Sequence, residues 1–157
     1  MSIQRVKAYL AAKGFGDRIR EFETSSATVE LAAQAVGCEG ARIAKTLSFA
    51  DGDGCVLVVT AGDTRVDNAK FKAQFGFKAK MLTPDQAIDR TGHAVGGVCP
   101  FALQAGVHVF LDTSMQRFDE IYPAAGSANS AVCLTPAELQ LCTGGTWVDV
   151  CKTNDAR

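Results

Sequence analysis

Lys45 sits in an otherwise apolar run. Read as a strand, residues 41–49 alternate so that Lys45 shares a face with Ile43, Leu47 and Phe49, where a core is expected. An ammonium there either snorkels to water from a strand end or is held in a cleft, aimed at a phosphate or a developing oxyanion. The partner element is the segment 92–101, in which Gly92, Gly96, Gly97 and Pro100 fall close to His93, Val98, Cys99 and Phe101. Gly96 and Gly97 have no side chain to keep a ligand from the backbone N–H groups. The segment is neither a P-loop nor a dinucleotide fingerprint, and a tight turn with no ligand is its plainer reading. His93 and His108 are the only histidines, and neither lies in a hydrolase or zinc-protease motif. Cys99 is either a thiol nucleophile or, the favoured reading, a small inward-packed residue before Pro100. Asp112 ends the apolar run 107–111, as a turn residue or as a carboxylate of a site.

The elements that must position these groups follow from hydrophobic period and caps. Ile3, Val6, Tyr9 and Leu10 have helical spacing, and Gly14 is the stop. A short strand over 19–22 precedes a helix over 28–36, which Gly37 ends. The run 55–60 is β-rich and pairs with 41–49 as a hairpin through the turn 51–54. A helix over 68–75 and a strand over 78–82 come next. Thr83 with Gln86, and Thr135 with Glu138, form capping boxes with proline at the first helical position. Strands are expected at 107–111, 131–134 and 147–151. Helices and strands intermingle without strict βαβ alternation, which indicates an α+β domain with a mixed, strongly curved sheet.

The chain has 157 residues, of which 47% are hydrophobic and 21% charged, the balance of a globular domain that folds unaided. One domain over 1–151 and a short frayed tail over 152–157 are expected. No run approaches the length of a membrane span, and the charged amino terminus does not resemble a secretory signal, so a cytoplasmic protein is expected. The six cysteines lack the C-x-x-C spacing of metal or redox sites and read as reduced thiols, so neither metal nor cofactor is expected. With a net charge of −1, nucleic-acid binding has to rest on a local patch. The densest basic stretch holds Arg65, Lys70, Lys72, Lys78 and Lys80 against the single acid Asp67; its plainer reading is a solvated face.

Taken together, residues 43–47 around Lys45, the loop 92–101, the strand end 109–112, and the triplet Ala125, Gly126 and Ser127 with the capped helix starting at Thr135 come in the order of the YbaK family. That family is similar to the editing domain inserted in bacterial-type prolyl-tRNA synthetase, and the resemblance covers roughly residues 1–150. It implies a barrel-like mixed sheet surrounded by helices, and hydrolysis in trans of the ester of a mischarged tRNA, with a small amino acid on proline tRNA as the substrate. The family's functional lysine falls on Lys45, and its G-x-x-x-P loop on Gly96 to Pro100. In this reading the N–H groups of Gly96 and Gly97 receive the ester carbonyl. Substrate contacts come from Gly92, His93, Val98, Cys99, Pro100, Phe101, Asp112, Gly126 and Ser127, and tRNA contacts from Arg65, Lys70 and Lys72. Prolyl-tRNA synthetase is a possible partner; membranes and DNA are not. Many relatives carry an arginine soon after the late glycine, whereas this chain continues Ser127, Ala128, Asn129 and Ser130, which leaves the substrate open. A catalytically silent tRNA-binding or regulatory module of the same fold and a thiol hydrolase acting through Cys99 stand as alternatives.

Overall fold

The turn 51–54 lets two strands pair along their whole length. In the computed structural model, which describes residues 2–153, β2 (Ile43–Asp51) and β3 (Gly54–Ala61) form an antiparallel hairpin running from Asp51↔Gly54 to Ala44↔Ala61. β3 is buried along nearly all its length, as its near-continuous Val and Leu content requires for a strand covered on both faces. Parallel neighbours extend the hairpin on both sides: β5 (Val107–Asp112) and β8 (Thr146–Val148) beyond β3, and β6 (Tyr122–Pro123) beyond β2. The result is a curled five-stranded half-barrel of order β6-β2-β3-β5-β8. Two antiparallel ribbons flank it: β1 (Ile19–Glu21) with β7 (Ser130–Val132), and β4 (Thr64–Val66) with β9 (Cys151–Thr153).

Five α-helices lie among the described residues: α1 (Ser2–Ala12), α2 (Val29–Val36), α3 (Asn68–Phe75), α4 (Pro84–Thr91) and α5 (Pro136–Thr143). Both expected capping boxes form, on α4 and α5. One face of the sheet, carrying Ala44, Val59, Ala61 and Leu111, packs on Val6 and Leu10 of α1 and on Phe101. Cys55 and Leu57 continue that face under Leu82 and Ala87 of the α4 region. The other face carries Phe49, Val56 and Val58 against Phe71 of α3. No helix among the described residues is long and apolar enough to cross a membrane.

Three expectations are corrected. Residues 78–82 do not form a strand: their main-chain pairing with β2 is limited to the Phe49↔Met81 bridge and two bonds, Ala50 N–H to the Lys80 carbonyl and Leu82 N–H to the Ser48 carbonyl. The run 147–151 is not one strand, because the chain leaves β5 after Val148 and joins β4 from Cys151. Lys152 and Thr153, assigned to a frayed tail, pair with Arg65 and Thr64 in that ribbon; the rest of the tail, 154–157, lies outside the described residues.

Candidate functional site

The edge of β2 is covered at two places and open between them. At its start the parallel ladder with β6 ends at Ala44↔Pro123, and near its end Ser48 and Ala50 take up the 80–82 segment. Between these lies a cleft of about 290 Å³. Its walls come from the edge of β2, from Ser26 to Val29 leading into α2, from Leu82 and Ala87, from Val95, Gly96 and Val98 of the glycine loop, and from Tyr122, Ala124, Ser130 and Ala131. Met81 and Val95, more than half exposed, stand at its mouth. Most of the lining is apolar, so hydroxyls and main-chain groups supply its polarity.

Lys45 borders this cleft, but its side chain leaves β2 on the face of Leu47 and Phe49, opposite Thr60 of β3. Its ammonium donates to the carbonyl of Thr64, one residue before Arg65. Desolvation by burial pulls its pKa below the ordinary lysine value, against a weaker opposing pull from Cys151, Asp63 and Glu30. Of these, Asp63 is itself held as a carboxylate by a two-pronged contact with Arg117 at 2.6 and 3.0 Å. Lys45 is thus a partly desolvated cation parked on a neutral carbonyl, which an incoming anion can displace.

The loop 92–101 divides its duties. Gly96 lines the cleft at φ +93°, a conformation that favours glycine, and its N–H has no acceptor among the described residues. Gly97, expected to share the role of donor, gives its N–H to the Ala94 carbonyl at 2.9 Å. Its lack of a side chain serves packing: a Cβ there would stand 2.8 Å from Ser127 N and 2.9 Å from the Gly126 carbonyl carbon and oxygen. Gly126 in turn rests on α1, where a Cβ would meet Val6 Cγ2 at 2.8 Å. The late Gly126 and Ser127 pair therefore locks the glycine loop from behind, and Ser127 Oγ spends itself on Asn129 and Ser130. Val95 and Val98 are the other residues of the loop on the cleft wall.

His93 is fully buried and does not face the cleft. Its Nε2 lies 2.7 Å from the Phe101 carbonyl, which can only accept, so Nε2 carries the proton and Nδ1 accepts from the Ser2 hydroxyl. Burial lowers its pKa and keeps the ring neutral. Cys99 Sγ lies 3.6 Å from Nε2, yet that nitrogen has no lone pair to offer, and burial pushes the thiol up to about 12. The thiol-hydrolase alternative has no base and no thiolate. Phe101 is a core side chain, Pro100 is buried away from the cleft, and Gly92 ends α4 while its carbonyl accepts from Arg5. Asp112 is 1% exposed, with both carboxylate oxygens on main-chain N–H groups, Ser114 at 3.0 Å and Val150 at 2.9 Å. It joins the β5 end to the last ribbon and has nothing left for a substrate. Of the expected substrate contacts only Val98 lies on the cleft wall; Gly92, His93, Cys99, Pro100, Phe101, Asp112, Gly126 and Ser127 do not line it.

On the basic stretch, Arg65, Lys70 and Lys72 are all exposed. Lys70 is paired with Asp149 at 3.1 Å and also donates to the Cys151 carbonyl. Thr46, Ser48, Ser130 and Tyr122 line the cleft without having been singled out from the sequence. A signal existed for two of them: Thr46 and Ser48 are polar residues on the face of β2 opposite Lys45, in a strand buried on both sides.

This half-barrel, open at one strand edge under a glycine loop, defines the class of the protein. Residues 23–142 match the aminoacyl-tRNA editing domain family, and the chain belongs to that family. Over 154 residues it is 48% identical to the uncharacterized protein YwhH of Bacillus subtilis, covering 97% of this chain and 98% of that one. Among solved structures it resembles a candidate trans-editing enzyme for prolyl tRNA synthetase, with 32% identity, a TM-score of 0.88, and coverage of 96% of this chain and 97% of that one. It also resembles the protein APE2540, with 28% identity, a TM-score of 0.85, and coverage of 94% and 99%. The fold and the editing-domain membership expected from residues 43–47, 92–101 and 125–127 hold.

Proposed function

We propose that the chain is a free-standing deacylase that hydrolyses the ester of mischarged tRNA, removing a small amino acid from proline tRNA. The observation that carries this reading is the cleft itself: a narrow, mostly apolar slot bounded by a glycine N–H with no acceptor among the described residues and by a partly desolvated lysine. At about 290 Å³ it is at the small end of ligand sites, which run to roughly 1,000 Å³. Its size favours a small aminoacyl group and rejects a large one, the sorting that synthetases leave to a second site when a methylene gives only about 1–3 kcal/mol.

An aminoacyl ester is already activated, so the site has to position water, stabilise the oxyanion and hold the acceptor end. In this scheme Gly96 N–H receives the carbonyl oxygen as it gains charge. Lys45 leaves the Thr64 carbonyl for the terminal phosphate or the same oxyanion. The hydroxyl beside the ester on the terminal ribose orients the attacking water, a group only RNA supplies. Arg65, Lys70 and Lys72 meet the backbone of the acceptor stem beyond Thr64. The protein works in the cytoplasm, and prolyl-tRNA synthetase, the source of the mischarged tRNA, is the partner.

The test is release of amino acid from a panel of mischarged tRNAs incubated with the intact chain. Release of a small amino acid from proline tRNA, with correctly charged prolyl-tRNA spared, is expected. Tight tRNA binding with no release from any ester would instead identify a silent tRNA-binding module.

A further inference from the structure

Thr46 combines three unmet polar groups at one point of the cleft. Its Oγ1 is buried without a hydrogen-bond partner, the only such side-chain atom among the described residues. A buried hydroxyl in that state is costly unless something completes it. The second observation is the register. In an antiparallel pair, alternate residues turn both main-chain groups to the same edge. Ser48 and Ala50 turn theirs outward, to Leu82 and Lys80, so Thr46 turns its N–H and C=O outward too. The β6 ladder has already stopped at Ala44↔Pro123, and no main-chain partner reaches Thr46 on that edge among the described residues. Its side chain leaves the sheet on the face opposite Lys45, and Thr46 lines the cleft together with Gly96 and Val98.

We propose that Thr46 is the positioning residue for the aminoacyl group, with its carbonyl and Oγ1 accepting from the substrate's α-ammonium. This rests on the deacylase reading above. Two neutral oxygens converging on an apolar slot suit a donor with several N–H groups, and every aminoacyl ester with a free amine carries one. Seated there, the ester occupies the missing stretch of pairing along β2 and brings its carbonyl under Gly96 N–H. The site therefore reads a free amine as well as a small side chain, and it rejects N-blocked aminoacyl and peptidyl esters.

The experiment compares single-turnover cleavage of a small aminoacyl-tRNA with that of its N-acetylated form, by the wild type and by Thr46→Val. Wild type should cleave the free-amine ester at least tenfold faster than the acetylated one. Thr46→Val, isosteric and lacking the hydroxyl, should lose roughly tenfold to a hundredfold on the free-amine ester, in the range expected for a hydrogen bond to a charged group. Its preference over the acetylated ester should shrink by a similar factor. It should also melt at the same temperature as wild type or a few degrees higher, because an unpaired buried hydroxyl is gone; a merely structural Thr46 would lose activity and stability together. Equal wild-type rates on the two esters, or a Thr46→Val variant with unchanged preference, would overturn the role of Thr46 while leaving the deacylase standing. No cleavage of any ester by wild type would overturn the deacylase reading and this proposal with it.

Discussion

Replacing Gly97 by alanine inserts one methyl between two loops that have no room for it. The new Cβ would sit 2.8 Å from Ser127 N and 2.9 Å from Gly126 C and O, all main-chain atoms that cannot swing aside. Carbon contacts become favourable only near ~3.5 Å, so the loops have to part by about 0.7 Å. Gly126 cannot give way easily, since it is itself pressed on Val6 and on the Ser2 backbone. Overpacking of this kind costs about 1–3 kcal/mol. For a chain of this length that is a fall in Tm of about 2–12 °C. The displaced segment carries Gly96, whose N–H is the proposed oxyanion donor. A misplacement of ~1 Å costs about a hundredfold in rate, so roughly tenfold is expected here. Differential scanning fluorimetry and single-turnover deacylation measure the two effects. A Gly97→Ala protein with Tm within about 1 °C of wild type and unchanged turnover would refute the locking of the glycine loop by residues 126–127.

Other consequences are open to direct test. Cys99→Ala should keep more than half of the deacylation rate and lose only modest stability, since the buried thiol is pushed up to about 12 and has no base; a dead but folded variant would restore the thiol mechanism. His93 is neutral when folded and its pKa is lowered, so below about pH 6.5 the unfolded chain binds a proton that the folded chain refuses. Stability should therefore be full above that pH and fall as pH drops toward the lowered value, and His93→Asn should flatten the slope in acid melts. Lys45 has its pKa lowered by burial, so if its charge is used, the rate should fall with rising pH sooner than an ordinary lysine near 10.5 would allow. Reversing Arg65 and Lys72 to Glu should weaken tRNA binding and reduce its salt dependence while sparing cleavage at saturation; unchanged binding would place the tRNA elsewhere.

What the sequence revealed was local chemistry. The capping boxes at Thr83 and Thr135, the glycine stops and the 51–54 turn depend on residues a few positions apart, and each forms as read. The 78–82 segment alternates like a strand yet forms none, because pairing needs a partner edge and β2 offers it only two main-chain bonds. β4 and β6 are too short for any period to show, and they exist because β9 and β2 offer them edges. The site divides in the same way. Lys45 was visible as a cation out of place. Which of the other residues line the cleft was not visible, because that turns on long-range partners: Ser2 for His93, Val150 for Asp112, and Ser127 for Gly97. Thr46 escaped notice because a threonine in a strand is ordinary, and only the broken ladder beside it makes its hydroxyl conspicuous.

The central claim is that this cleft hydrolyses mischarged tRNA with the help of Lys45. The most direct measurement is single-turnover release of a small amino acid from proline tRNA by wild type and by Lys45→Ala, with fold checked by circular dichroism. Wild type should release the amino acid, and the folded variant should be slower by about a hundredfold or more, the loss typical when a stabilising group is removed from an oxyanion site. A folded Lys45→Ala protein that cleaves at the wild-type rate would contradict the account.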